Sequence, residues 1–158
     1  MVIGDSFPPD KRKAYIDRSL KAWRVIYLYC DFIPSPHDKF LLIVNGSPYI
    51  LYFFISSEPY NLALSNPKMK GTQVSIDVKD HPFLSYDSFI DCSRIGSLPI
   101  YEVERQLIAD VGRIKGVLSA AVQAKVLEAV KNNARMSPRE KKMVLGCLSG
   151  GHRRGSKT

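Results

Sequence analysis

His37, Lys39 and His81 are of the residue types that metal-free cleavage of an RNA phosphodiester would use. Such cleavage needs a base for the 2′-hydroxyl proton, a cation over the phosphate and an acid for the leaving oxygen. Imidazole titrates near neutrality and can act as base or acid, while lysine supplies the cation. Both histidines fall in segments that read as loops, where function concentrates and where a merely solvated histidine is equally at home. Asp38, directly beside His37, is a candidate partner for its ring. Ser56 and Ser57 are either a hydroxyl pair aimed at phosphate or the polar end of a strand. Asp87 and Asp91 are four apart and so share one face of a strand, but no third oxygen ligand stands at a useful spacing. They read as outward polar residues, and neither a metal nor another cofactor is expected.

The elements that must position these groups can be read from periodicity. Residues 8–22 open with Pro8-Pro9-Asp10 and carry Ile16 and Leu20 four apart, which predicts a short N-terminal helix. From Trp23 to Cys30 the chain is almost wholly aromatic and aliphatic, as a strand buried on both faces would be. Ile33 to Lys39 holds two prolines and no periodicity, and reads as a loop. Phe40–Val44 and Tyr49–Ser56 follow as strands joined by Asn45-Gly46, a hairpin signal because both residues tolerate positive φ. Gln73 to Val78 alternates, and Phe83-Leu84 and Ser88–Cys92 read as a last pair of short strands. Five or six short strands without intervening helices predict a small, strongly bent β-barrel over 23–98.

Beyond Pro99 the period becomes helical. Val103, Leu107, Val111 and Ile114 predict one helix, stopped by Gly116. Ser119 caps a second, with Val122, Val126 and Val130 inward, and Ser137-Pro138-Arg139-Glu140 opens a third with Met143, Val144, Cys147 and Leu148 inward. The expected fold is α+β. Its parts are an N-terminal helical extension over 1–22, the barrel over 23–98, C-terminal helices over 99–150 and a basic, unordered tail over 151–158.

Charge narrows the partners. The chain of 158 residues carries a net charge of +8, and residues 132–158 alone hold seven Lys/Arg against one acid. That concentration is the footprint of a segment that contacts a polyanion, and Arg153 and Arg154 are its candidate RNA contacts. Arg24 and Tyr60 are the candidates within the folded part, since most other aromatics from Trp23 to Phe54 read as core. The longest apolar run, Tyr49–Ile55, is far shorter than the roughly 18 residues of a membrane span. With no secretory signal at Met1-Val2-Ile3 and three cysteines lacking a CxxC spacing, a cytoplasmic protein without disulfides or a zinc site is expected.

Three segments then carry a resemblance. Lys39-Phe40-Leu41-Leu42-Ile43-Val44, Phe54-Ile55-Ser56-Ser57 and Leu84 to Arg94 follow one another as do three strands of the MazF/PemK-like toxins of type II toxin–antitoxin systems. In that family the first strand reads Arg-Pro followed by four aliphatics, and the second ends in a Pro-Ile-Thr-Ser type sequence. The likeness spans about residues 23–115. Nothing matches 1–22 or, beyond one helix, 116–158, and Pro34-Ser35-Pro36-His37-Asp38 stands in place of the family's loop glycines and Glu-Gln pair. The resemblance implies an SH3-like barrel with a C-terminal helix and a metal-independent endoribonuclease that cleaves single-stranded RNA.

Carried over by position, the family's catalytic arginine becomes Lys39 and its threonine becomes Ser56, while His37 stays a candidate on the residues alone. Lysine keeps the charge and loses the bidentate fork, so it meets a phosphate as a point charge, whereas serine keeps the hydroxyl. The partners implied are single-stranded RNA and an antitoxin protein covering the groove, with homodimerisation left open and no membrane involved. The competing expectation is a catalytically silent SH3-like module that binds nucleic acid or protein, because fold alone does not decide function.

Overall fold

The structure, a computed structural model, describes residues 8–59 and 65–150. Helix α1 (Pro9–Ser19) starts with a proline in its first turn, and Ile16 and the following Leu20 are buried. Strand β1 (Arg24–Cys30) begins one residue later than its composition suggests, because Trp23 has φ of 77°, a left-handed conformation that does not continue a strand. Strands β2 (His37–Asn45) and β3 (Tyr49–Ser56) complete an antiparallel meander. Strand β2 is the first correction to the sequence reading. His37, Asp38 and Lys39 are its opening residues, paired with Cys30, Tyr29 and Leu28, and the loop ends at Pro36.

The β2–β3 turn is a hairpin, though not by the mechanism the sequence suggests. Neither Asn45 nor Gly46 has a positive φ, and the turn holds a cis Ser47–Pro48 bond. Gly46 is required by space, since a Cβ there would lie 1.8 Å from the carbonyl oxygen of Leu20.

Four short strands follow: β4 (Gln73–Ile76), β5 (Ser88–Asp91), β6 (Gly96–Pro99) and β7 (Ile114–Val117). The sheet is antiparallel and curled, in the order β4-β5-β3-β2-β1-β7, with β6 joined to β3 off that path. Strand β3 thus carries two partners along one edge. Its first half, Tyr49 to Tyr52, pairs with β6, and its end, Ile55 and Ser56, pairs with Ile90 and Phe89 of β5.

The helices after β6 are α2 (Ile100–Ala109), α3 (Ala120–Lys131) and α4 (Pro138–Gly150). The α+β class with C-terminal helices is therefore observed. Two predicted elements and two residue roles differ. The helix expected through Ile114 ends at Ala109, and β7 follows a 3-10 turn at Val111–Arg113. Gly116 lies inside β7, where the Phe83 ring would sit 2.7 Å from an added Cβ, so close packing and not helix termination selects glycine. Phe83-Leu84 is a turn, with Leu84 buried, and Met143, 41% exposed, points away from the core that Val144 and Leu148 enter.

The alternation of the strands feeds two cores. Val25, Leu42, Phe53, Ile55, Val74 and Ile90 project from one face towards Val122, Val126 and Val130 of α3 and Val144 of α4. Ile26, Leu28, Leu41, Ile43 and Tyr52 project from the other towards Ile16 of α1 and Val103 and Leu107 of α2. Helices α3 and α4 begin as the sequence suggests, with Ser119 Oγ accepting from Val122 N and Ser137 Oγ from Glu140 N. No helix among the described residues is long and apolar enough to cross a membrane.

Candidate functional site

Side chains two residues apart on a strand share a face, so Lys39 lies on the same face of β2 as Leu41 and Ile43. On β3 the same face carries Tyr52, Phe54 and Ser56. The register sets Phe40 opposite Ile55, which brings the next pair outward, Lys39 and Ser56, to adjacent positions on neighbouring strands. Lys39 Nζ donates to Ser56 Oγ at 2.7 Å and lies 5.2 Å from the centre of the Phe54 ring.

Here the sheet face opens into a cleft of about 460 Å³. His37, Lys39 and Ser56 line it together with Phe54, Asp91 and Arg94. His37, the first residue of β2, is exposed, and its Nδ1 meets the Ser35 carbonyl at 2.5 Å. As the donor in that bond is Nδ1–H, the free acceptor on the ring is Nε2.

Lys39 is half-buried. Burial pushes its ammonium below the ordinary lysine range, an effect that the carboxylate of Asp91 partly offsets. Asp91 is itself held firmly. Its Oδ1 accepts from Gln73 Nε2 at 2.8 Å, from Ser93 N at 3.0 Å and from Ser93 Oγ at 2.6 Å. A rigid anion therefore stands across the cleft from the lysine.

Other candidates lie elsewhere. Asp38 does not serve His37: neighbouring residues of a strand face opposite ways, and Asp38 Oδ1 accepts from Arg113 Nη1 at 3.0 Å. His81, 1% exposed, is a structural histidine. Its Nδ1 donates to the Asp77 carbonyl at 3.0 Å and its Nε2 accepts from Ser119 N at 3.0 Å, leaving no free nitrogen for chemistry. Arg24 opens β1 at the end opposite Leu28, the partner of Lys39, and donates to the Lys115 carbonyl at 2.9 Å. Asp87 accepts from Val78 N, apart from Asp91. Tyr60, Arg153 and Arg154 lie outside the described residues.

Asp91 and Gln73 join the site through register alone, being directly paired across β4 and β5. The alternation of the two strands contained that signal, but their pairing had to be known to use it. Arg94, two residues beyond Cys92, had no separate signal. No model of a known protein family matches the chain, and no curated protein matches it.

Proposed function

We propose that the chain is a metal-independent endoribonuclease of the MazF/PemK kind, which cleaves single-stranded RNA in the Lys39–Ser56 cleft. The observation that carries this reading is the 2.7 Å contact between Lys39 Nζ and Ser56 Oγ in an open cleft. These are the two positions to which the resemblance transfers the family's arginine and threonine, although they are 17 residues apart in sequence. On this reading the curled sheet and its C-terminal helices are a divergent SH3-like barrel.

The chemistry assigns one role to each group. His37 Nε2 takes the 2′-hydroxyl proton, and the resulting alkoxide attacks the adjacent phosphorus. Lys39 and the Ser56 hydroxyl hold the non-bridging oxygens as negative charge builds in the transition state. The leaving 5′-oxygen takes its proton from water in the open cleft, and the products are a 2′,3′-cyclic phosphate and a 5′-hydroxyl. A phosphate seated at Lys39 also restores the ammonium that burial disfavours, so substrate and lysine charge reinforce each other. Arg94, exposed at the rim, extends the cationic surface towards the strand. The implied protein partner is an antitoxin whose acidic segment covers the same cleft.

Incubating the full chain with end-labelled single-stranded RNA in EDTA tests the reading. Cyclic-phosphate products from wild type, and none from Lys39→Ala, are expected. Binding without cleavage by wild type would move the chain to the silent binding modules.

A further inference from the structure

The pairing of Lys39 with Ser56 also has the geometry of a base next to a hydroxyl nucleophile. In the structure Lys39 Nζ donates to the Ser56 oxygen at 2.7 Å, and the same distance lets a neutral amine take the hydroxyl proton as the oxygen attacks. One feature favours the neutral form when the cleft is empty: Lys39 is half-buried, and the loss of hydration lowers its affinity for the proton, against the Phe54 ring face beside Nζ, which favours the ammonium. The titratable groups around it are few: Cys30 on β1, His37 on β2, Glu58 beyond β3, Asp91 on β5 and Arg94 beyond β5. Cys30 is buried with its thiol pushed up to about 11, and the Asp91 oxygen Oδ1 is fully engaged by Gln73 and Ser93. Neither displaces Lys39 from Ser56.

The partner strands also fix both backbones. Ser56 is held between β2 and β5, paired with Phe89 on the latter, so the hydroxyl presents to the cleft from a rigid ladder. Rigid placement of nucleophile and base is what a two-residue nucleophilic site requires. The cleft walls next to them, Ile33, Pro34, Phe54 and Phe89, are apolar and suit a small acyl group.

We propose that Lys39 and Ser56 form a nucleophilic pair that attacks small carboxylic esters, an activity separate from RNA cleavage. Ser56 Oγ bonds to the carbonyl carbon as its proton passes to the neutral Lys39 amine. The carbon–oxygen bond to the alcohol then breaks, and the Lys39 ammonium returns that proton to the leaving oxygen. Acyl-Ser56 remains, and water, with Lys39 again as base, releases the carboxylic acid and restores the hydroxyl. A fluorophosphonate follows the first half only: the Oγ–phosphorus bond forms, fluoride leaves, and the adduct persists.

The experiment treats the full chain with an alkyl fluorophosphonate and locates the adduct by peptide mass spectrometry, with p-nitrophenyl acetate hydrolysis measured in parallel. One adduct on Ser56 is expected, formed at a rate that rises with pH and levels off below 10.5, the ordinary lysine value. Lys39→Arg, checked by circular dichroism for an unchanged fold, keeps the charge but cannot act as base. It should label at least about 100-fold more slowly, the usual loss when a general base is removed. Equal labelling of Lys39→Arg and wild type, an adduct on another residue, or no adduct would overturn the pair. His37→Ala separates the two readings: it removes the base assigned to RNA cleavage and takes no part in the ester reaction, so it should lose cleavage while Ser56 still labels.

Discussion

His81 Nε2 accepts the backbone N–H of Ser119 at 3.0 Å, and Ser119 in turn caps helix α3 through its hydroxyl. A histidine that sequence alone offers to catalysis is thus a fastener between the turn after β4 and the helix that closes one core. Removing it leaves the Ser119 N–H without its partner and frees the Asp77 carbonyl. His81→Ala should lower unfolding stability by about 2 kcal/mol, the scale of a buried polar group left unsatisfied. Urea denaturation measures the loss, and cleavage per folded molecule should remain that of wild type.

A second structural position is Gly46, in the turn between β2 and β3. Its absent side chain admits the Leu20 backbone, and a methyl group there would lie 1.8 Å from the Leu20 oxygen. Gly46→Ala should cost about 1–3 kcal/mol through overpacking, seen as a lower melting temperature. Gly71→Ala meets no atom within 4 Å and suffers only from its φ of 79°, so its smaller loss provides the comparison.

The cysteines should differ in reactivity. Cys30 and Cys92 are buried, and burial pushes both thiols up, Cys30 to about 11. The thiolate is the reactive species, so in the native protein at pH 8 both remain protonated and slow. Cys147, only partly buried, should react first with a thiol reagent. Rapid modification of Cys30 or Cys92 before unfolding would contradict the strand packing.

Much of this architecture was legible because burial and period coincide. Strand β3 reads correctly from Tyr49 to Ser56, and the valines of α3 recur every four residues towards the core. Legibility failed where one residue type has two uses. Gly116 reads as a helix stop because glycine commonly ends helices, whereas here Phe83 occupies the space a side chain would need. The loop prolines conceal the start of β2 at His37, since the pairing with Cys30 that makes it a strand is non-local. At the candidate site the β2–β3 register puts Lys39 and Ser56 in contact, and both residues were singled out by the sequence. Asp91 as a fixed anion was not, because its three hydrogen bonds come from β4 and from the turn after β5.

Electrostatic affinity should reside in the basic C-terminal segment. Residues 132–158 hold seven Lys/Arg and no base-reading motif, so they should bind phosphates without selecting sequence. Deleting 151–158 removes Arg153, Arg154 and Lys157 and should flatten the salt dependence of RNA binding, by roughly 0.7 in log–log slope for each lost contact. Filter binding across a salt series reads the slope, and an unchanged slope would place the contacts elsewhere.

Lys39 is where the central claim is most exposed. The direct measurement is cleavage of a long single-stranded RNA in EDTA by wild type, Lys39→Ala and Lys39→Arg, each confirmed folded by thermal melting. The cleft account predicts cleavage by wild type and Lys39→Arg, with cyclic-phosphate ends, and a loss of at least about 100-fold in Lys39→Ala, as for removal of one transition-state contact. Equal cleavage by wild type and Lys39→Ala would contradict it.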